Sequence, residues 1–539
     1  MDFIFGTLAT DNLKLTHHRA AKQGLQHHYA HIPLDPMPGE AVTIYVNIGV
    51  DQNLTHAACY YTTDGSIPTG SRGVASSGTA MALQPGETIW DTLAWGYGVR
   101  WSGTLPAQPK GTVVRYRISA WADGGDEIFA DWPDVQDRAE KAAAAFFQGK
   151  EPPPISLDED RRISTFTYHV DTLAAPAWAH KAVIYQIFVD RFYPGKGHDW
   201  TQTTDLNGFC GGTLWGVAEK IDYLAELGVN CLWLSPTFLS PVSHHGYDTT
   251  DYFRTEPRLG GDEALRAVMQ AAHEKGMRVL LDLACNHLSD QHPYFKDALK
   301  NPQSPYRDWF YFDNSAVGYR AFFGVAGMPQ INLTNPDTRA WMCEVGRYWI
   351  REFDADGYRL DYAHGPGPSF WVDFRAACRA EKGDCLCFGE IVDAPDALRT
   401  YIGRLDGCLD FHMEDALRKT YAWGTWTEDL LATFVQRHTA YFPRDFIMPT
   451  FLDNHDMDRF LFTVNGDKNA LKRAAAAQMR LPNPPVIYYG TEVGVSQPKS
   501  TRSEGLHLSR APMLWGRDQD TELLEYYKAV ISSRQNTTL

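Results

Sequence analysis

Apolar and polar residues alternate through much of the first third of the chain. Val42, Ile44, Val46 and Ile48 share one face of an extended segment, and Val114, Tyr116, Ile118 and Ala120 share another, since side chains two apart point the same way on a strand. Turn sequences such as Asp64-Gly65 and Asp123-Gly124-Gly125 separate these runs, the pattern of a β-sandwich. Glu151-Pro152-Pro153-Pro154 through Asp158-Glu159-Asp160 reads as an extended linker or domain edge. Residues 1–165 are therefore expected to form an N-terminal β-sandwich, carbohydrate-binding-like or dimerising. Trp90, Trp95, Tyr97 and Trp101 cluster within it. They read either as a glucan-stacking platform or as a core or subunit contact.

From about residue 180 the period changes. Short apolar runs at 183–189, 229–234, 279–283, 358–363, 386–390, 408–412, 446–452 and 486–489 alternate with amphipathic helical stretches. The helices are predicted at 214–227, 263–275, 338–353, 370–380, 394–405, 470–479 and 521–534. Strands alternating with helices predict an α/β fold, a (β/α)8 TIM barrel over 166–287 and 338–539. One connection is too long for such a unit. Residues 288–337 are expected to form a small inserted domain walling one side of a cleft.

Composition narrows the function. A chain of 539 residues exceeds one core. The formal charge of −16 argues against nucleic acid and anionic membrane as partners. No stretch reaches transmembrane length, and the N-terminus lacks a basic region followed by an apolar run. The nine cysteines are scattered and unpaired by spacing. Buried reduced thiols, and hence a cytoplasmic location, are expected.

Candidate chemistry lies at the strand ends, where barrels of this kind build their sites. In Gly357-Tyr358-Arg359-Leu360-Asp361, Arg359 and Asp361 point the same way, and the guanidinium favours an ionised carboxylate. An isolated pair of this kind is more often a structural ion pair. Four further blocks change that balance: Asp282 to His287, Phe388-Gly389-Glu390, Asp453-Asn454-His455-Asp456 and His244-His245-Gly246-Tyr247-Asp248. Carboxylates converging on one rim point to glycosyl transfer, in which one acid attacks and another protonates the leaving oxygen.

These blocks, DLACNH, GYRLD, FGE and LDNHD, resemble the α-amylase family of glycoside hydrolases in order and spacing. FCGGTLWGVAEKIDYLAELGVNCLWLSP, HHGYDTTDY, MPQIN and SRAPMLW extend the resemblance over about residues 180–535. VIYQIFVDRF and the N-terminal sandwich look most like the neopullulanase and cyclomaltodextrinase branch. The resemblance implies that Asp361 is a nucleophile forming a covalent glucosyl intermediate and that Glu390 is the acid/base, with a raised pKa. It implies that Asp456 holds the sugar's hydroxyls, that Arg359 keeps Asp361 ionised, and that His287 and His455 bond the sugar. Tyr247 would stack under that sugar, with His245 nearby. Retention of configuration implies carboxyl groups about 5–5.5 Å apart.

Departures from the family pattern qualify these implications. Where many relatives carry a calcium loop, Tyr193 to Asp199 places Lys196 among the would-be oxygen ligands, which argues against calcium there. Hence no metal ligand is assigned and no cofactor is expected. Asn286 reads equally as a calcium ligand or as a tie to the inserted domain. His244 reads mainly as structural. Tyr362, His364 to Gly367 and Ile391 differ from their usual counterparts and border the acceptor side. The chain stops after the eighth barrel helix, so the family's C-terminal β-sandwich is expected to be absent. The resemblance also raises a homodimer as a partner state. The expectation is a retaining hydrolase of α-1,4 bonds in maltooligosaccharides, cyclodextrins or starch. The alternatives are an α-glucan transglycosylase or α-glucosidase on the same scaffold, or an inactive glucan-binding protein.

Overall fold

In the computed structural model, which describes residues 15, 18, 19, 22, 24–49, 52–130, 164–201, 205–240, 243–315 and 317–536, the N-terminal alternation becomes antiparallel strands. Their order is Leu25–Gln26, Val42–Ile48, Gly96–Leu105, Thr79–Asp91, His56–Thr62, Thr112–Trp121, Ile128–Phe129. Thr79–Asp91 joins two halves: its first part pairs with His56–Thr62 and its second with Gly96–Leu105, across a register shift between Pro85 and Thr88. The eight alternating residues picked from the sequence are all core. The expected boundary at 165 moves. Phe166–Val170 pairs with Thr112–Trp121 and buries Phe166, Tyr168 and Val170 in the same core. The predicted linker at 151–160 lies outside the described residues.

The aromatic cluster divides. Trp101 is buried, while Trp90, Trp95 and Tyr97 are 44%, 75% and 64% exposed. Trp90 meets the other two rings edge-on, at 5.5 and 4.9 Å.

The second sheet is parallel, with strands in the order Gly407–Cys408, Leu386–Gly389, Gly357–Asp361, Arg278–Ala284, Cys231–Leu234, Ile184–Ile187 and Val486–Tyr488. Alternate residues on these strands enter two different cores. Ile184, Cys231, Trp233, Leu280, Leu386, Phe388 and Val486 fill the barrel interior. Val183, Tyr185, Leu232, Leu281, Tyr358 and Leu360 pack outward, against the surrounding helices. The predicted seventh strand, 446–452, closes the ring through parallel bridges from Gly407 to Ile447 and from Thr450 to Pro485 rather than through a continuous ladder.

Other predicted elements shift for local reasons. The sixth strand ends at Cys408, not 412, because Asp410 caps the helix Phe411–Tyr421, its carboxylate accepting from Met413 N at 3.0 Å. That helix and Glu428–Tyr441 were not predicted. The helix predicted at 394–405 shrinks to Pro395–Leu398 and a 3-10 turn at Arg399–Tyr401. The one at 214–227 breaks at Lys220 into Leu214–Glu219 and Ile221–Leu227. After the third strand the chain makes the expected excursion, a short helix Pro293–Lys300 and turns packed through stacked rings such as Tyr294 on Tyr306. It rejoins the barrel at Pro336–Phe353, where Asn335 caps the helix and Pro336 begins it.

The sandwich bears on the helix that follows the fourth strand, Pro368–Glu381. Asp373 accepts from Arg115 at 2.9 Å and Arg339 at 2.6 Å and meets His169 at 3.0 Å. Tyr29 and Ser369 share a hydroxyl contact of 2.6 Å.

Candidate active site

All eight residues singled out from the sequence meet at the carboxyl ends of the parallel strands. Register explains why. Asp282 pairs with Arg359, and Ala284 with Asp361, so the third and fourth strands lift these side chains into one interior. Glu390 follows the last residue of the fifth strand, and its backbone N bonds Leu360 O at 2.8 Å. Arg359 is fully buried at the centre. Its Nη1 donates to Asp282 at 2.8 Å and to Asp361 at 2.9 Å. Its Nη2 lies 2.8 Å from Glu390 Oε2, close in charge but off the direction of a hydrogen bond.

A second chain of contacts crosses from the first strand to the seventh. Gln186 Nε2 meets His455 Nδ1 at 2.6 Å, and His455 Nε2 meets Tyr247 OH at 2.7 Å. Tyr247 OH donates to Asp282 at 3.0 Å, and Trp233 Nε1 donates to the same oxygen at 2.9 Å. The rings of Tyr247 and His455 are nearly parallel at 5.7 Å. His245 Nδ1 accepts from Tyr247 N at 3.1 Å. Asp456 is held by Arg510 at 2.9 Å and by His455 at 3.0 Å. His287 stacks on Phe322 at 4.5 Å. Of the two readings left open for Asn286, the structure shows the tie: its side chain accepts from Gln330 of the inserted segment, and its backbone O from Ile331 N.

Four carboxylates, Asp282, Asp361, Glu390 and Asp456, thus surround two guanidiniums, Arg359 and Arg510. Burial and the excess of negative charge set their titration. Burial pushes Asp361 well above the ordinary carboxylate range; Glu390, Asp282 and Asp456 add to the rise, and Arg359 opposes it. Burial also raises Glu390, against Arg359. Arg359 is divided among three carboxylates, and at Asp361 it opposes the rise that burial causes. Both acids are raised, which favours a proton shared between them. Burial works against ionised Asp456 too, yet His455, Arg510 and Arg359 outweigh it and hold that carboxyl low. Burial lowers His245 to about 4 and His287 and His455 to about 3, so all three are neutral donors or acceptors.

Reading the sequence missed three supports. Asp282 was placed in a strand-end block but given no role, although it is the hub that orients both Arg359 and Tyr247. Its position opposite Arg359 on adjacent parallel strands was the available signal. Arg510 lay within SRAPMLW and was likewise given no role. Gln186 had no local signal, because its partner lies 269 residues away.

For metals, Lys196 extends its ammonium over the Trp215 ring, 3.2 Å from the centroid. Among the described residues, one group of side chains converges closely enough to ligate an ion: Cys378, Cys385 and Cys387, all buried, with sulfurs within 4.8 Å. They lie between the fifth strand and the helix before it, away from the strand ends. All nine cysteines are buried and free. No described helix is long and apolar enough to cross a membrane.

A family model described as "Alpha amylase, catalytic domain" matches residues 186–536. Alpha-amylase 2 of Dictyoglomus thermophilum is 36% identical over 371 residues, covering 68% of this chain. The chain belongs to the α-amylase family. Among other members, a cyclomaltodextrinase of Geobacillus thermopakistaniensis is 35% identical over 393 residues, 69% of this chain. In both cases the match spans 65% of the relative's length. Among solved structures, the cyclic α-maltosyl-(1→6)-maltose hydrolase of Arthrobacter globiformis aligns with TM-score 0.62 and 30% identity, over 67% of this chain and 84% of that one. A cyclomaltodextrinase aligns with TM-score 0.63 and 25% identity over 95% of this chain and 85% of that one, so the likeness to that α-amylase-family structure includes the N-terminal sandwich.

Proposed function

We propose that the protein is a retaining hydrolase of α-1,4-glucosidic bonds in short or cyclic glucans. The observation that carries the reading is the unequal way in which Arg359 serves the two acids. Asp361 receives an aligned hydrogen bond from the Arg359 cation, whereas Glu390 has a charge contact with Arg359 and accepts its aligned hydrogen bond from the neutral Tyr362 N–H at 3.2 Å. The shared proton is therefore favoured on Glu390, leaving Asp361 as the ionised nucleophile.

In the first step, an Asp361 carboxylate oxygen bonds to the anomeric carbon. The glycosidic bond breaks, and the Glu390 proton passes to the leaving oxygen. In the second step, water attacks the same carbon while Glu390 takes its proton, and the bond to Asp361 breaks. His287, His455 and Asp456 hold the sugar's hydroxyls, and Tyr247 packs against its face. Relatives named cyclomaltodextrinase, neopullulanase and maltogenic amylase support the substrate class. A relative named intracellular maltogenic amylase, together with the buried free thiols, supports a place inside the cell.

The test is product analysis with β-cyclodextrin, soluble starch and pullulan, with Asp361→Asn in parallel. Opening of cyclodextrin to short maltooligosaccharides with the α-anomer formed first is expected. Products of inverted configuration, or an undiminished mutant, would remove the covalent reading.

A further inference from the structure

Away from the strand ends, three sulfurs meet between the elements that carry the two acids. Cys378 lies on the helix Pro368–Glu381, which follows the strand that ends in Asp361. Cys385 precedes, and Cys387 lies within, Leu386–Gly389, the strand that leads to Glu390. Two residues apart on an extended segment, Cys385 and Cys387 face the same way, towards Cys378. The three Sγ atoms come within 4.8 Å of one another, and those of Cys385 and Cys387 are 3.9 Å apart. That is a non-bonded distance, far beyond the roughly 2.05 Å of a disulfide. All three side chains are fully buried.

The surroundings are crowded on one side and charged on the other. A methyl group on Gly346, in the neighbouring helix Pro336–Phe353, would come 3.1 Å from Cys378 Sγ and 2.7 Å from the Phe374 ring. The converging group holds no histidine and no carboxylate. Asp406 is committed elsewhere: it accepts from Cys387 N at 2.8 Å, Arg375 Nε at 2.9 Å and Arg379 Nη2 at 2.7 Å. The Arg379 guanidinium is near enough to Cys387 to favour a negative sulfur there, and its Nε is buried without a hydrogen-bond partner. Three thiols in one spot bring only weak donors and acceptors to a core. Three thiolates bring a strong set of ligands.

We propose that Cys378, Cys385 and Cys387 form a three-coordinate, sulfur-only site for the soft cation Cu(I). Sulfur ligands select soft ions, Cu(I) and Zn(II) among them. Closed zinc sites take four protein ligands, and this one offers three. At a metal–sulfur distance of about 2.3 Å, three sulfurs around an ion in their plane stand about 4.0 Å apart, close to the 3.9 Å between Cys385 and Cys387. On binding, each thiol gives its proton to solvent and an electron pair to the metal, which stays Cu(I), so no oxidant is consumed. The ion ties the helix behind Asp361 to the strand that leads to Glu390 and takes no part in glycosyl transfer. Because the sulfurs are buried, it enters as the helix docks during folding.

The test is the metal content of the full chain, produced in medium containing both copper and zinc and purified without oxygen. About one copper per chain is expected, with X-ray absorption showing a shell of three sulfurs at about 2.3 Å. Cys378→Ala and Cys387→Ala should each bring copper below about a tenth of an equivalent. Cys59→Ala, in the sandwich core, should keep it. Copper-loaded protein should melt at a higher temperature than metal-free protein. Four results would overturn the site: no metal, zinc taken in preference to copper, nitrogen or oxygen in the shell, or copper retained by both cluster variants. If the variants fail to fold, the metal content and sulfur shell of the wild type decide alone. None of these readouts depends on activity, so the site stands or falls separately from the hydrolase reading.

Discussion

Two carboxylates on one strand lie at its opposite ends and have opposite lives. Asp356, just before Gly357–Asp361, is fully buried and saturated with partners. It accepts from Arg278 at 2.7 Å and from Lys382 and Val279 N at 2.8 Å, and meets His273 at 2.8 Å. Burial raises its pKa, but these partners win and bring it to about 2. Asp361, five residues on, is equally enclosed but shares one guanidinium with two other acids and is pushed up. The lower end of the barrel matches each charge, whereas the upper end leaves charge unmatched. An unmatched carboxylate is poor for stability and useful for chemistry.

The sharpest way to break this contrast is Asp361→Asn. Turnover should fall by roughly three orders of magnitude or more, as for other residues that form covalent intermediates. The fold should not weaken. An acid whose folded pKa is raised costs stability as pH rises through its unfolded value towards its folded one. Removing it should therefore raise the melting temperature at pH 7, and a clear drop would contradict the charge excess.

Next comes the converse, Asp356→Asn. It strands Arg278, Lys382 and His273 and should cost about 3 kcal/mol, the low end for a broken buried network because Arg278 is one-third exposed. The folded mutant should keep its turnover within about twofold, since the site lies at the other end. Its deficit should also depend on pH. A depressed pKa gives stability above the ordinary value near 3.8 that is lost as pH falls towards 2. Mutant and wild type should converge in urea titrations across that window.

A smaller effect is expected from Tyr247→Phe. It removes one donor to Asp282 and one partner of His455, leaving buried polar atoms short of a bond. A loss of about tenfold to a hundredfold in kcat/KM is expected, measured with glucosyl fluoride. In the pH profile, the alkaline limb should lie above the ordinary carboxylate range, reporting loss of the proton shared by Asp361 and Glu390. No limb should come from His245, His287 or His455, already neutral above pH 5. The smallest effect is the control: Lys275→Ala, at an exposed pair with Asp222, should change neither stability nor rate measurably.

The same contrast explains what the sequence made legible. The rim residues stood out because acids and histidines at strand ends interrupt apolar runs, and all eight converged. The barrel was legible where strands alternate inside and outside cores, as at Leu280, Asp282 and Ala284. It was illegible where closure rests on single bridges, at 446–452, and where a cap overrides an extended run, at Asp410. Asp282 escaped because its role depends on a neighbour brought by register. Phe322, on which His287 stacks, escaped because no period governs the excursion that carries it.

One consequence of the hydrogen-bonded chain across the site concerns time rather than strength. Gln186 and His455 are 269 residues apart, Tyr247 and His455 208, and Tyr247 and Arg359 112. None of these contacts forms locally, and long-range pairings close late because the chain must first give up its loop entropy. During refolding, helices and neighbouring strands can therefore assemble while the site is still open. Recovered activity would report the moment the ring closes, and should lag behind recovered helix content.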